Sequence, residues 1–469
     1  MGRKKNYPLL ENIEILELAS GGKSLAKIDN LVVFVTNDAV PGDIVDLQIK
    51  KKRKNYYEAF PVNFIKLSEN RVTPICEYFG TCGGCKWQNF KYTEQVKHKE
   101  KQVYDQISRI GKAVASRINP IILAENTEYY RNKLEFTFSN KRWITKKEVE
   151  NKTEIKEKRA LGFHIPGRFD KILDIEKCYL QKDPSNDIRQ AIKKFAIEGN
   201  FEFFDLIEQK GFLRNLIVRT TSNNEVMVIV SFFQDDKLKI KKLLTFLKDE
   251  IPGLTSIMYV INSKGNDTIS DLDIRLFYGQ DYITEILDGL KFKIGPKSFF
   301  QTNYEQALKL YRITKDYAKL SGKEIVYDLY TGTGTIANFV AKDARKVIGI
   351  EYIEDAIEDA RENSKINKIK NTEFVAGDIK DLFTINFMAK YGKPDVVILD
   401  PPRAGVHADI IKNIIFALPS RIVYISCNPA TQARDIALLN NHYGIRQIQP
   451  IDMFPHTHHV ENIVLLEKY

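Results

Sequence analysis

Apolar and polar positions divide the chain into stretches of different period. In residues 291–469, short apolar runs alternate with segments whose apolar residues recur every three or four positions, the patterns of buried strands and amphipathic helices. This alternation predicts an α/β domain built on a doubly wound sheet. The predicted strands are Glu324–Leu329, Lys346–Ile350, Thr372–Ala376, Asp395–Leu399 and Arg421–Ser426, and the predicted helices include Glu354–Ile366 and Ala430–Asn440.

The first 70 residues show short strand-like runs instead. Ile13–Leu18 and Leu31–Thr36 are rich in β-forming residues, Ile44–Ile49 alternates apolar and polar residues, and glycine-rich or proline-rich turns separate them. Several strands in so short a stretch predict a small β-barrel in residues 1–70.

Residues 71–290 open with a cysteine cluster and mix helical with strand-like segments, so we expect a central α+β domain there. Within it, Lys141–Arg159 has eight basic and four acidic residues and almost no apolar periodicity. We interpret this segment as a flexible loop or protruding hairpin that is solvated, with RNA contact as the second interpretation.

A second basic run, Lys50–Lys54, leads into Tyr56 and Tyr57 in the predicted barrel. Basic groups beside aromatic rings suit a surface that follows a nucleic-acid backbone and stacks bases. A solvated hairpin whose lysines protect a sheet edge has the same pattern. The sequence leaves both interpretations open.

Composition limits the class of protein. The chain of 469 residues is 43% apolar and 28% charged, as expected for a globular protein of several domains, and neither collagenous nor wholly disordered. No apolar run approaches the ~18 residues of a membrane span. The polar start Met1–Asn6 predicts no signal peptide, and five cysteines, an odd and sparse set, predict a reducing cytoplasm.

The formal charge of +10 fits a polyanionic partner without proving one. Residues 1–290 carry 47 basic and 40 acidic residues, whereas residues 291–469 carry 24 and 21. Most of the excess therefore precedes the predicted α/β domain.

A glycine-rich loop follows the first predicted α/β strand. Asp328–Thr335 contains Gly332 and Gly334, which let a backbone turn tightly against a ligand. Glu351 lies 17 residues after Gly334, at the end of the next strand. This pattern formally allows a dinucleotide. Asp400-Pro-Pro-Arg at a later strand end favours S-adenosylmethionine, because a sulfonium cation tolerates carboxylates that a pyrophosphate would not.

A cysteine and a carboxylate are candidates for catalysis. Cys427 follows a predicted strand and precedes a helix, where the helix dipole favours a thiolate, although a lone cysteine is often inert packing. Thiolate addition to carbon 6 of uracil makes carbon 5 nucleophilic, and a base must later remove the carbon 5 proton. Glu461, which opens the last predicted strand, Ile463–Leu466, is our first candidate for the base. The nearby histidines are a rival base or metal site: His456, His458 and His459.

These motifs and their order resemble the RNA uracil-C5 methyltransferase family, which methylates 23S ribosomal RNA and the tRNA T-loop. The resemblance spans the chain and includes Gly295-Pro-Lys-Ser-Phe-Phe-Gln-Thr-Asn303, Ser426-Cys-Asn-Pro429 and His459-Val-Glu-Asn462. It implies a TRAM barrel (1–70), a central RNA-binding domain (71–290) and a class I Rossmann-like methyltransferase domain (291–469). It also implies S-adenosylmethionine as cofactor, Cys427 as nucleophile, Glu461 as proton acceptor and, as cofactor-binding residues, Gln301, Tyr330, Glu351 and Asp400.

The other four cysteines are Cys76, Cys82, Cys85 and Cys178. The first three form C-x5-C-G-G-C, and four thiolates suit either zinc or an iron–sulfur cluster. The resemblance favours a [4Fe–4S] cluster that is held by all four cysteines and has a structural role, with zinc as the alternative.

The implied function is formation of 5-methyluridine in RNA, with 23S rRNA as first substrate and the tRNA T-loop as the alternative. We expect a cytoplasmic monomer without a membrane partner. Two rivals remain: an N-methyltransferase, which has no use for Cys427, and a non-catalytic RNA-binding factor that keeps the fold.

Overall fold

The fold is taken from a computed structural model that describes residues 7–36, 38–113 and 115–469. The start Met1–Asn6, from which we predicted no signal peptide, lies outside the described residues. Backbone contacts divide the chain into two compact units: residues up to Gln102 with Phe454–His459, and Val103–Met453 with Val460–Tyr469. The domain boundaries predicted after residues 70 and 290 stay predictions. Within the described ranges, no helix has the length and apolar character that crossing a membrane needs.

The first unit contains a six-stranded sheet whose order is β1-β5-β6-β4-β3-β2. The backbone N–H of Ile15 donates to Asp43, just before β5, while that of Leu16 donates to Leu25 in β3. Because consecutive residues bond towards opposite edges, the sheet curls into the predicted barrel, and the predicted strand Ile13–Leu18 is broken in two. The strands are β1 (Leu9–Glu14), β2 (Glu17–Leu18), β3 (Ser24–Ile28), β4 (Leu31–Val35), β5 (Ile44–Lys52) and β6 (Tyr56–Lys66).

The basic run of the barrel occupies the end of β5 and the turn into β6. Arg53 donates its backbone N–H to Tyr56 across this turn, at 2.9 Å. The Lys52 ammonium lies 4.9 Å from the centre of the Tyr57 ring, within cation–π distance. The two interpretations of the basic run, a solvated hairpin edge and a basic surface beside aromatic rings, therefore describe the same part of the barrel.

The second unit contains a seven-stranded, mostly antiparallel sheet of order β10-β9-β8-β11-β12-β13-β14. Alternate residues such as Phe136 and Val218 are fully buried and give it an apolar face. In chain order, the elements from the end of the first barrel are α1 (Tyr92–Arg109), β7 (Arg117–Ile118), β8 (Lys133–Ser139), α2 (Lys146–Glu150), β9 (Ala160–Ile165), β10 (Arg168–Asp174), α3 (Ser185–Glu198), β11 (Leu213–Thr220), β12 (Val226–Phe232), α4 (Lys237–Glu250), β13 (Ser256–Ile261) and β14 (Ile274–Gly279).

The basic segment Lys141–Arg159 differs from the expected loop or hairpin because it contains α2. Thr145 and Glu148 form a capping box: the Thr145 hydroxyl accepts the Glu148 N–H, and the Glu148 carboxylate accepts the Thr145 N–H at 2.8 Å. Such reciprocal bonds stabilise a short helix without apolar periodicity. No residue of α2 is buried, so the segment is solvated, as expected.

An eight-stranded sheet follows, ordered β19-β18-β17-β20-β21-β23-β22-β7. Strands β17–β21 run parallel, whereas β23 runs antiparallel between β21 and β22. The predicted doubly wound domain is thus confirmed. Its elements are β15 (Ile283–Leu287), β16 (Leu290–Ile294), α5 (Tyr304–Ala318), β17 (Ile325–Leu329), α6 (Thr335–Ala341), β18 (Lys346–Glu351), α7 (Glu354–Ile366), β19 (Thr372–Ala376), α8 (Ile379–Leu382), α9 (Ile385–Tyr391), β20 (Val396–Leu399), α10 (Ala408–Ala417), β21 (Arg421–Ser426), α11 (Pro429–Leu439), β22 (Tyr443–Ile451) and β23 (Glu461–Lys468).

Candidate active site

The carboxyl-end edge of the parallel strands gathers most of the predicted site. Leu329 of β17 pairs with Ile350 of β18 and with Leu399 of β20. Tyr330, Glu351 and Asp400 therefore leave or end neighbouring strands side by side. Open α/β sheets bind their ligands at this edge.

The loop after β17 is shaped by left-handed backbone. Tyr330, Gly332 and Gly334 have φ values of +67°, +55° and +72°. A Cβ on Gly334 would lie 2.8 Å from the Ala360 Cβ, so only glycine fits there, whereas nothing lies within 4 Å of a Cβ built on Gly332. The loop thus presents open backbone at Gly332, as a bound ligand requires.

Glu351 is fixed against this loop. Its carboxylate accepts the backbone N–H of Gly332 at 3.2 Å and those of Tyr352 and Ile353 at 2.8 and 3.1 Å. Tyr330 directly follows β17, and the nearby backbone N–H of His407 partly offsets the effect of burial on its phenol pKa. Burial raises the pKa of the Tyr330 phenol to about 12.

Two carboxyl groups lie deep in the same edge. Burial raises the pKa of Asp328 to about 7, and the Thr331 hydroxyl donates to this carboxyl at 2.5 Å. Asp400 keeps some accessible surface, yet burial of its carboxyl group raises its pKa to about 7 as well. Buried carboxyls beside an open glycine loop fit a cationic ligand with ribose hydroxyls, as S-adenosylmethionine is.

The loop that carries Gln301 is held by Arg219 of β11 and by Asn132, which directly precedes β8. Asn132 donates its side-chain amide to the Gln301 carbonyl at 3.0 Å and its backbone N–H to the Thr302 carbonyl at 2.9 Å. The buried Arg219 guanidinium donates to the carbonyls of Gly295 and Ser298 at 3.2 and 2.8 Å. Burial lowers the Arg219 pKa to about 10.

Sequence reasoning missed Asn132 and Arg219, because they lie more than 75 residues from the loop they hold. It also missed Phe299, whose side chain is 71% exposed two residues before Gln301. The Phe299-Phe300 pair is visible in the motif, but the sequence does not show which of the two rings is exposed.

The strand register brings Cys427 and Glu461 together. Ser426, the last residue of β21, pairs with Asn462 of the antiparallel β23, so Cys427 and Glu461 both adjoin this pair, and the charge of Glu461 acts on the Cys427 thiol. Burial and the nearby Glu461 carboxylate raise the pKa of the free Cys427 thiol. The Glu461 side chain is 5% exposed, and burial followed by repulsion from Asp400 raises its pKa well above the ordinary value.

Arg403 counteracts these shifts. Its guanidinium hydrogen-bonds to Cys427 and lowers the pKa of that thiol, and its charge lowers the pKa of Glu461. The Arg403 carbonyl accepts the Asn428 amide at 3.1 Å and the Thr431 hydroxyl at 3.2 Å, which fixes the loop. From sequence, Arg403 is predicted only as part of Asp-Pro-Pro-Arg and without a role of its own, although its place in the motif is the available signal.

The three late histidines lie in the first unit, whereas Glu461 belongs to the second. A His456 ring nitrogen lies 3.2 Å from the Gln95 amide nitrogen, and the His458 and His459 ring centres are 4.0 Å apart. Across the described part of the chain, no three His, Cys, Asp or Glu side chains converge as ligands of one metal ion.

Gln88 links two cysteines of the C-x5-C-G-G-C loop in the first unit. Its amide oxygen accepts the Cys76 backbone N–H at 3.2 Å, and its amide nitrogen lies 3.4 Å from the Cys85 sulfur. Gly83 has φ of +76°, so the chain turns sharply between the last two cysteines. This thiol-rich turn fits a cluster whose cysteines each bind a different iron, because such ligands need not meet at one point. Cys178 lies in the second unit, is buried, and donates its N–H to Asn186 at 2.8 Å.

The strand order and the acidic carboxyl-end edge define a class I S-adenosylmethionine-dependent methyltransferase. Residues 220–469 match the tRNA (uracil-5-)-methyltransferase family, and residues 11–62 match the TRAM domain. The chain belongs to the tRNA (uracil-5-)-methyltransferase family, which confirms the resemblance inferred from its motifs.

Relatives of full length agree. Uncharacterized RNA methyltransferases of Bacteroides thetaiotaomicron and Porphyromonas gingivalis are 56% and 52% identical, over 96% and 97% of this chain and 100% and 99% of theirs. The solved structure of Pyrococcus abyssi tRNA (uracil-54, C5)-methyltransferase, in complex with S-adenosyl-L-homocysteine, is 28% identical with a TM-score of 0.74, covering 97% of this chain and 99% of that one. The protein is therefore an S-adenosylmethionine-dependent RNA methyltransferase.

Replacing Asn132 by alanine should weaken S-adenosylhomocysteine binding about fivefold, because a hydrogen bond worth about 1 kcal/mol no longer holds the Gln301 carbonyl. Isothermal titration calorimetry measures the change. Asn126→Ala is the control, since it removes an exposed amide that, among the described residues, donates to the Glu305 carboxylate. An unchanged affinity in Asn132→Ala would show that the Gln301 loop keeps its position without this clamp.

Binding of S-adenosylmethionine should strengthen as pH rises from 5.5 to 7. Asp328 and Asp400, with pKa values of about 7, are largely protonated below that range and ionise through it, and the ionised forms attract a sulfonium. Affinity should rise by at most about tenfold per pH unit for each proton released. Neutral S-adenosylhomocysteine should show a flatter profile, and Asp400→Asn should flatten that of S-adenosylmethionine. Identical slopes for the two ligands would contradict this assignment.

Proposed function

We propose that the protein methylates carbon 5 of a specific uridine in RNA, with 23S rRNA as the substrate, through a covalent adduct between Cys427 and carbon 6. The observation that carries this proposal is the pairing of β21 with β23, which ends at Ser426 and Asn462 and leaves the Cys427 thiol within the electrostatic influence of the buried Glu461. A nitrogen methyltransferase would need no such thiol. The alternative substrate is the tRNA T-loop, favoured by the likeness to the Pyrococcus abyssi enzyme, whose name specifies uracil-54 of tRNA.

In this mechanism the Cys427 thiolate adds to carbon 6 of uracil, and the electron pair moves towards carbon 5. Arg403 favours the thiolate through its hydrogen bond and charge, against the burial that disfavours it. S-adenosylmethionine, when bound, supplies the electrophilic methyl group that carbon 5 takes. Its proposed binding residues are Gln301, Tyr330, Glu351 and Asp400.

Glu461 then removes the proton from carbon 5. The released electron pair restores the ring double bond, and the carbon–sulfur bond breaks to give 5-methyluridine and free thiolate. Enclosure of Glu461 raises its pKa, which makes its carboxylate a stronger base than an exposed one. Flipping the target uridine out of folded RNA costs a few kcal/mol, and less from a loop than from a duplex.

The barrel and the residues up to 290 are proposed to grip the RNA. They hold the larger part of the positive charge, 47 basic against 40 acidic residues. Lys52 above the Tyr57 ring is a ready site for a phosphate beside a stacked base. We place this activity in the cytoplasm, in a monomer.

The proposed cluster is [4Fe–4S], held by Cys76, Cys82 and Cys85 with Cys178 as the fourth thiolate that the family resemblance implies. Its role is to fix the irregular chain around the first three cysteines. No step of the methylation needs an electron, so we assign it no part in the chemistry.

A strain that lacks the gene should lose one 5-methyluridine from its 23S rRNA, and a plasmid copy should restore it. Cys427→Ala should fail to restore it while the purified variant still binds S-adenosylhomocysteine, since the thiol is needed only for the adduct. Mass spectrometry of 5-methyluridine in both rRNA and tRNA tests the two candidate substrates in the same experiment. Loss confined to tRNA would support the alternative, and substantial turnover by Cys427→Ala would refute covalent catalysis.

Glu461→Gln should accumulate the covalent intermediate, because the amide cannot take the carbon 5 proton. The measurement is an RNA–protein band retarded on a denaturing gel, with Glu461→Gln/Cys427→Ala as the matched control that cannot form it. If the single variant forms no such band in the presence of S-adenosylmethionine, another group serves as the base.

Protein purified without oxygen should be brown and absorb near 400 nm, as iron–sulfur clusters do, and the band should bleach on reduction. Serine variants of the four cysteines should lose this absorbance, whereas Cys427→Ser should keep it. A colourless protein with one bound zinc per chain would favour the alternative metal.

A further inference from the structure

The amino-end edge of the eight-stranded sheet, opposite the catalytic edge, carries a basic groove. Two adjoining cavities of about 560 and 530 Å³ share Lys368, Ile369 and Lys370, which precede β19. We call this the lysine groove and define it by its basic lining residues, which are Lys315, Lys342, Arg361, Lys365, Lys368 and Lys370. Its acidic lining residues are Asp288 and Glu373.

The groove concentrates the positive charge of its domain. Residues 291–469 contain 24 basic and 21 acidic residues. Without the six basic residues of the groove and Glu373, 18 basic and 20 acidic residues remain. The net positive charge of this part of the chain therefore lies in the groove, while the remainder is slightly acidic.

Four of the six groups are available to a ligand. Lys315 is paired with Asp343 at 2.6 Å and Arg361 with Glu354 at 3.7 Å. In the ranges that the structure describes, no ion pair is formed by Lys342, Lys365, Lys368 or Lys370.

Helix ends explain only part of this charge. Lys342 is the C-cap of α6 and Lys365 lies in the last turn of α7, where a cation is favoured by the helix dipole. Lys368 and Lys370 lie beyond the end of α7, at Ile366, and so have no such local cause. They stand where the two cavities meet.

We propose that the lysine groove binds the phosphodiester backbone of the substrate RNA, outside the loop that enters the catalytic edge. Two joined cavities with four unpaired lysines suit a chain of phosphates better than one small anion. A six-residue strand such as β18 spans roughly 20 Å. Folded RNA, whose helices are about as wide, can reach from one edge of the sheet to the other. This inference rests on the proposed RNA substrate and not on the covalent mechanism.

The test is the full-length double variant Lys368→Glu/Lys370→Glu. Its matched control is Lys390→Glu/Lys393→Glu, which makes the same charge change on exposed residues of the same sheet edge outside the groove. Filter binding measures affinity for 23S rRNA and tRNA extracted from a strain lacking the gene, at several salt concentrations. Methylation of the same RNA is measured in parallel, and S-adenosylhomocysteine binding checks that each variant is folded.

The groove variant should bind its RNA about tenfold more weakly than the control at low salt. The slope of log affinity against log salt should shrink by about 1.5, since each lost phosphate contact removes about 0.7–0.9. KM for RNA should rise with kcat unchanged. If the glutamate variant does not bind S-adenosylhomocysteine, Lys368→Gln/Lys370→Gln takes its place with half the charge change.

Equal RNA binding by the groove variant and the control overturns the proposal, whatever the methylation result. Wild-type protein that binds RNA in a groove-dependent way but forms no 5-methyluridine would instead overturn the proposed function and support the groove. RNA binding thus tests the groove, whereas formation of 5-methyluridine tests the proposed function.

Discussion

The antiparallel insertion of β23 between β21 and β22 is the constraint on which the site depends. A strand register is all-or-none, because a slip of one residue turns every side chain to the other face. The pairing of Ser426 with Asn462 therefore fixes the face on which the adjoining Cys427 and Glu461 come close. Gln432 of α11 secures this register: it donates to the carbonyls of Tyr424 and Asn462 and accepts the Asn462 amide at 2.7 Å.

Enclosure of charge is the second feature of the site. Asp328, Asp400 and Glu461 lie where burial raises each carboxyl pKa, and each is favoured as a carboxylate by a cation. Arg403 is the cation that the chain itself supplies, and it acts on Cys427 as well. With pKa values of about 7, Asp328 and Asp400 lie near the point of ionisation at neutral pH, where a cationic ligand shifts their protonation most.

The site is also connected to the rest of the second unit by side chains that donate hydrogen bonds to backbone carbonyls of the Gln301 loop. Arg219 belongs to the seven-stranded sheet and Asn132 directly precedes its strand β8, and the two hold the Gly295–Asn303 loop that carries Gln301. The sheet proposed to grip RNA and the loop proposed to bind the cofactor are therefore joined by direct hydrogen bonds. The lysine groove adds a third surface of this unit, at the edge away from the chemistry.

The sequence by itself determined the main elements of the α/β domain, because the period of a strand or helix appears as a repeat of apolar positions in consecutive residues. Thr372–Ala376, Arg421–Ser426 and Glu354–Ile366 have the bounds in the structure that their patterns predict. It also determined the family, since Asp-Pro-Pro-Arg, Ser-Cys-Asn-Pro and His-Val-Glu-Asn occur in order. Apolar periodicity did not predict α2, although Thr145-Lys-Lys-Glu148 is a local capping signal, and it did not predict that the strand at Ile13–Leu18 breaks.

Only the tertiary structure decided which groups meet. Arg403 reaches Cys427 across 24 positions, Asn132 reaches Gln301 across 169, and Lys342 and Lys368 share one groove because two helices end at the same edge. The raised pKa values of Asp400 and Glu461 come from the atoms that enclose them, which no stretch of sequence contains. The sequence identifies the candidate reacting groups. Packing sets their pKa values and their neighbours, because electrostatic interaction depends on distance in space and not along the chain.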